Sequence, residues 1–248
     1  MRLQLSTWPD IERYLQTSSG IIVPIGSTEQ HGPNGLIGTD AICPEVVAHA
    51  VGERIGALVA PTLSIGMAQH HLAFPGSIAF RPTTLIAVIR DVVQSLARHG
   101  FRHVYFFNGH GGNVSTAQAA FAEIHSDSSF SGRDTPAPAL KFANWYMGRR
   151  VQQLSRELFA DDEGSHATPS EIALTWHAYP DCARPMTLEP RRAPTGSFGD
   201  AADYRRRFPD GRIGSDPSRA SVEAGTRLFE ASVQDTIEDY QAFVRDHA

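Results

Sequence analysis

The 248-residue sequence holds only two cysteines, Cys43 and Cys182, too few and too far apart for a disulfide framework or a thiolate zinc site. A reducing, cytoplasmic setting is the expectation. Basic residues are not in excess. With 22 Lys+Arg against 27 Asp+Glu the formal net charge is -5, which argues against a general nucleic-acid or anionic-membrane binder. No apolar run approaches the length of a membrane span, and the N-terminal MRLQLSTWPDIERYLQ lacks the apolar core of a secretory signal. The dinucleotide fingerprint G-x-G-x-x-G and internal repeats are also missing. What remains is an ordinary globular composition, 41% hydrophobic and 20% charged, with 11 histidines whose placement is worth following.

Strand-like and helix-like segments alternate along the chain. GIIVPIG (20–26), ALVAP (57–61), HVYFFN (103–108) and ALKFANW (139–145) read as buried strands. Helices are expected over 42–55, with Pro44 tolerable only in the first turn, and over 83–99, with a Thr cap and Gly100 after the end. Further helices are expected over about 115–125, 147–159, from Pro169 through PSEIALTWHAY, and over about 220–245. This pattern predicts an α/β fold, three-layer αβα with a mostly parallel central sheet. Two stretches read as loops: 126–138, rich in Ser, Asp, Gly and Pro, and 188–219, long enough to be either functional or disordered. With no domain boundary in view, residues 1–248 are expected to form a single domain.

In such sheets ligands bind beyond the carboxyl ends of the strands. GSTEQHGPNGLIGTD (26–40) follows the first strand and places Glu29, His31 and Asp40 among four glycines. Glu29 and Asp40 as helix caps with His31 as a turn residue is one reading; together at a strand's carboxyl end the three fit a metal site better. NGHGGN (108–113) presents His110 at a strand-to-helix turn, where Gly111 and Gly112 can offer backbone N–H groups to an anion. In GSHATPSEIALTW (164–176), Thr168-Pro169-Ser170-Glu171 matches a capping box, so local pattern alone makes Glu171 a capping residue. His166 is either an acid/base or a plain surface histidine.

The segments PIGSTEQHGPNGLIGTD, FPGS (74–77), NGHGGN, HATPSE and GSDPSRAS (214–221) occur in order, and with them the chain resembles the creatininase, or creatinine amidohydrolase, family. The resemblance implies an α/β fold with two divalent cations per chain (zinc, manganese or iron). It also implies metal-dependent hydrolysis of a non-peptide C–N bond, of the cyclic-amide or formamide type, by a metal-bound hydroxide. A small-molecule amide substrate and a homo-oligomer, often a hexamer of three dimers, belong to the same expectation. Carried over by motif, the metal ligands are Glu29, His31, Asp40, His110 and Glu171, with Asp40 as bridge, and His166 is the proton shuttle. Trp145 resembles a substrate-covering Trp, with a core role as the alternative. His71 lies near the pocket or is simply packed.

Departures bear on the substrate. Where creatininase proper has Tyr and Glu after its histidine, this chain has Gly111 and Gly112, which removes one metal carboxylate and leaves Glu171 to supply it. Asn34 stands where the family has a histidine, and ADDEG before His166 lacks a second Trp, so creatinine itself is not the expected substrate. Two other readings stand beside the amidohydrolase: a non-catalytic metal-binding or assembly protein that keeps the fold, and a metal-dependent phosphohydrolase. The second lacks a basic cluster to hold phosphate.

Overall fold

The computed structural model describes residues 1–132 and 136–247. Part of the predicted 126–138 loop, residues 133–135, falls outside them. A four-stranded sheet in the order β2-β1-β3-β4 forms the centre, from β1 (Gly20–Ile25), β2 (Leu58–Val59), β3 (His103–Asn108) and β4 (Ala139–Asn144). Every neighbouring pair is parallel. Ile25, Asn108 and Asn144 stand in register, so β1, β3 and β4 end at one rim.

Both faces of the sheet are covered, which is why β1 and β3 are buried along their whole length instead of alternating. Ile21, Val23, Ile25, Val104 and Phe106 pack with α3 (Pro82–Arg98) and α4 (Val114–Phe130). On the opposite face Ile22, Tyr105 and Phe107 meet α2 (Thr39–Ile55), α5 (Arg149–Phe159), α6 (Pro169–Ala178) and α8 (Val222–Asp246). The expected three-layer αβα arrangement is thus observed. Short α1 (Trp8–Leu15) packs at the edge of the first layer through Ile11, Tyr14 and Leu15. Among the described residues no helix is long and apolar enough to cross a membrane.

Several boundaries differ from expectation, for identifiable reasons. Helix α2 begins at Thr39, three residues before the expected start, so Pro44 lies inside the helix instead of in its first turn. Pro44 has no N–H to offer the Asp40 carbonyl. That carbonyl lies against two strand ends instead: a Cβ on Gly26 would come to 2.1 Å from it, and a Cβ on Gly109 to 2.0 Å. Only glycine fits at these two positions. Helix α3 is entered through Arg81 and Pro82, without a Thr side-chain cap. The second strand shrinks to two residues, and α4 runs to Phe130, absorbing the start of the stretch expected to be loop. The 188–219 segment is neither disordered nor wholly loop. It carries α7 (Ala201–Arg207) and is pinned by Arg212, whose fully buried guanidinium bonds Asp210 and the carbonyls of Pro190 and Arg191 at 2.6–2.9 Å.

Candidate metal centre

The turns that leave β1 and β3, together with the first turns of α2 and α6, bring the predicted ligands to one point at the sheet's carboxyl rim. Imidazole Nε2 of His31 lies 3.1 Å from Asp40 Oδ1 and 3.8 Å from Glu171 Oε2. His110 reaches Asp40 Oδ2 through Nδ1 at 2.9 Å and Glu29 Oε2 through Nε2 at 3.3 Å. Asp40 therefore stands between the two imidazoles. On the other side of Glu29, His71 Nε2 is 3.2 Å from Oε1 and His166 Nδ1 is 3.8 Å from it. Two trios, Glu29–His31–Asp40 and Glu29–His71–His166, each offer donor atoms within 4.8 Å of one another.

Local geometry explains how residues so far apart in sequence are held. The Asn113 amide donates to Gly26 O at 2.9 Å and to Asn108 Oδ1 at 3.1 Å, and its own oxygen accepts from Met67 N–H at 2.9 Å. One side chain thus ties the β1 turn, the β3 end and the segment before His71 together. Gln30 performs the same task for the histidines, its amide nitrogen lying 2.9 Å from His71 Nδ1, His166 Nε2 and the Gly211 carbonyl. The Glu171 carboxyl divides its oxygens: Oε1 accepts from the Thr168 N–H at 2.5 Å, completing the capping box, while Oε2 faces His31. Capping and facing the cluster are compatible in one side chain.

Charge is crowded here with little exposure to water. Glu29 is fully buried, and neither of its oxygens has a hydrogen-bond partner; Asp40 Oδ2 has none either, despite its short distance to His110. Burial pushes the Glu29 carboxyl up, against the pull of His110, and Asp40 adds to the push. Glu171 rises to about 7 through burial, with His31 opposing. Burial draws His31 down, but Asp40, Glu171 and Glu29 outweigh it and hold the imidazolium up to about 10. In the same way Glu29 and Asp40 carry His110 to about 9 in spite of burial. Asp40 is held well below the usual carboxylate range by its two imidazoles, although burial works the other way. Buried carboxylate oxygens without donors and imidazole nitrogens 2.9–3.8 Å away converge here as one set of oxygen and nitrogen donors. Divalent cations fit such a set, and hard-to-borderline N/O ligands without thiolate suit zinc, manganese or iron.

The cluster opens into a cavity of about 580 Å³. Of the predicted residues, Glu29, Asp40, His71, His110, Gly111, Gly112, Trp145, His166 and Glu171 all line it. Gly111–Asn113 forms a single 3-10 turn ahead of α4, and Trp145, nearly fully buried, begins another after β4 with its Nε1 unpartnered. Sequence reasoning missed Gln30, which sits inside the first motif between two predicted ligands. It also missed His70, Phe198 and Tyr204. Phe198 stacks on His70 (centroids 4.8 Å apart, planes 27°), and Tyr204 packs edge-on against His71 at 4.6 Å. Phe198 and Tyr204 come from the 188–219 segment, where no spacing announces them.

A parallel α/β sheet with a carboxylate–imidazole cluster at its carboxyl rim defines a candidate metal centre in the usual ligand position of such folds. Comparison with known proteins narrows this. The chain belongs to the creatininase family, since the family model described as creatinine amidohydrolase matches residues 4–240. It is 30% identical over 243 residues to a creatinine amidohydrolase of Pseudomonas putida, covering 92% of this chain and 91% of that protein. It is 28% identical over 223 residues to a mycofactocin precursor peptide peptidase of Mycolicibacterium smegmatis, covering 84% and 79%. Among solved structures, a type II mutant creatininase aligns with a TM-score of 0.86 at 23% identity, over 98% of each chain. A structure described as creatininase with Mn aligns with a TM-score of 0.81 at 26% identity, again over 98% of each. These relatives are hydrolases, and this chain shares their fold.

Proposed function

We propose that this protein is a metal-dependent amidohydrolase that cleaves a non-peptide C–N bond, of the cyclic-amide or formamide type, in a small molecule. The observation that carries the reading is the set of buried, unpartnered oxygens on Glu29 and Asp40 in a cluster of four imidazoles, each within 3.8 Å of one of these carboxylates. Glu29, His31, Asp40, His110 and Glu171 would hold two divalent cations (zinc, manganese or iron), with Asp40 shared between them. When bound, such ions lower the pKa of water toward neutrality and polarise a carbonyl. The likeness to a creatininase solved with manganese supports this choice.

The chain's own side chains supply position and proton transfer. His166 Nε2 lies 2.9 Å from the Gln30 carbonyl. Donation there leaves Nδ1, which faces Glu29, free to take a proton from the attacking water and return it to the leaving nitrogen. Gly111 and Gly112 line the cavity, where their backbone N–H groups would meet the developing oxyanion, and Trp145 and His71 would bound the substrate. The same reading takes residues 1–248 as one domain, in a cytoplasmic homo-oligomer.

The absence of a carboxylate at Gly112 favours one rival, a binding protein that retains the fold without turnover. Metal analysis and turnover of a lactam, formamide and cyclic-urea panel test the two together. His31→Ala is expected to lose metal and activity, and His166→Ala to lose turnover with metal retained. A metal-free His31→Ala with full activity would overturn the amidohydrolase, and metal-loaded wild type inert toward every amide would favour the binder.

A further inference from the structure

Helix α5 gives the cavity a wall chemically unlike the metal-ligand cluster. Val151, Gln152, Ser155 and Arg156 all face it, and Arg156 is the one cationic Lys or Arg side chain among the described lining residues. Its guanidinium makes no ion pair and no hydrogen bond among the described residues. Its neighbour on the same helix behaves differently: Arg150 is bound to Asp235 and Glu238 at 2.7 Å. A cation in the last turn of a helix is favoured there in any case, and Arg156 occupies that turn of α5. Arg156 is exposed, so water solvates its guanidinium in the free protein, and its place on the cavity lining leaves it available to a ligand.

The size of the cavity matters to the same question. At about 580 Å³ it falls in the range of drug-sized ligands and far exceeds one five-membered ring. The stacked pair of Phe198 and His70 gives it an aromatic surface. A substrate that fills this space reaches beyond the ligand cluster to the α5 wall, to which Arg156 belongs. A planar fork of N–H donors matches a carboxylate in two parallel hydrogen bonds, and its single charge balances a carboxylate's one, where a phosphate monoester carries nearly two.

Resting on the amidohydrolase reading, we infer that the substrate is an amide carrying a free carboxylate at some distance from the scissile carbonyl, and that Arg156 binds that carboxylate. Arg156 is then a specificity-determining residue, remote from the reacting atoms.

The test uses the metal-loaded full chain and chromogenic probes of graded length: the p-nitroanilides of succinic, glutaric and adipic acid, each compared with its methyl ester. Hydrolysis adds water across the anilide C–N bond and releases p-nitroaniline and the diacid. Affinity is read by calorimetry and turnover by colour. At the best length the free acid is expected to bind at least tenfold tighter than its ester. Arg156→Ala should erase that preference and Arg156→Lys restore part of it, with the ester's affinity unchanged in both. Acid and ester binding alike, or no acid binding at all, would overturn the proposal. So would a preference that survives in Arg156→Ala, because the carboxylate would then be held by the cations. An Arg156-dependent preference without release of p-nitroaniline would leave the carboxylate site standing, and turnover of the lactam and formamide panel would then decide the hydrolase.

Discussion

Gly109→Ala is the most informative single change outside the ligands. A Cβ there would sit 2.0 Å from the Asp40 carbonyl oxygen and 2.8 Å from Pro44 Cδ, both on helix α2. Ordinary C···O contacts begin near about 3.3 Å, so strand end and helix would have to separate by about 1.3 Å. Neither side can yield cheaply. Gly109 N–H is bonded to Ile25 O at 2.9 Å, and the obstructing atoms are backbone and a proline ring. Overpacking of this kind costs about 1–3 kcal/mol, and a backbone clash belongs at the upper end. At this chain length about 3 kcal/mol lowers Tm by roughly 6–12 °C. Because Asp40 rides on the displaced turn, metal affinity should fall with stability. Gly111→Ala is the control: its Cβ meets nothing nearer than the Tyr146 hydroxyl at 3.7 Å, so stability should hold. Thermal unfolding and metal content of both variants decide the matter. A Gly109→Ala protein with wild-type Tm and full metal content would refute the idea that Asp40 is positioned by close backbone packing.

Other expectations follow from the same geometry. Glu171→Gln keeps a capping-box side chain and should hold Tm while weakening metal binding, whereas Glu171→Ala should lose the cap as well, about 1 kcal/mol by denaturant unfolding. Asp162 binds Arg192 at 2.7 Å and Arg219 at 2.8 Å, and these bonds, with Arg191 beside them, hold its carboxyl down at about 2. Because that value lies below the unfolded one, the stabilisation is complete above about pH 4 and lost as pH falls through about 2. Asp162→Asn should flatten the stability curve over that interval and leave it parallel to wild type at neutral pH. Removing metal with a chelator should lower Tm, by about 2.7 kcal/mol of stability relative to protein at a metal concentration of 100 Kd, as read in paired melts.

The sequence carried the sheet and the ligands unevenly. β3 was legible to the residue because HVYFFN is β-branched and aromatic between a Gly-Phe-Arg lead and a Gly-His-Gly-Gly exit. β2 was overextended because buried apolar pairs and buried apolar fives look alike when the flanking residues, Ala57 and Ala60, are apolar too. The start of α2 was missed because Pro44 normally marks a first turn, and nothing local reveals that Gly26 and Gly109 make room for the unbonded Asp40 carbonyl. Glu29, His31, Asp40 and His110 were readable as polar residues in glycine-rich turns at strand ends. Gln30 was not, since its role depends on three partners 41 to 181 residues away. Phe198, Tyr204 and Arg156 reach the cavity only through the path of the chain, which no spacing encodes.

Crystals soaked separately in zinc and manganese, with anomalous diffraction recorded at each metal's edge, test the cation pair most directly. Two peaks are predicted per chain, one toward His31 and the other toward His110, each touching a carboxylate oxygen of Asp40. A cluster that stays free of anomalous density in saturating metal, or ions bound only elsewhere on the chain, would contradict it.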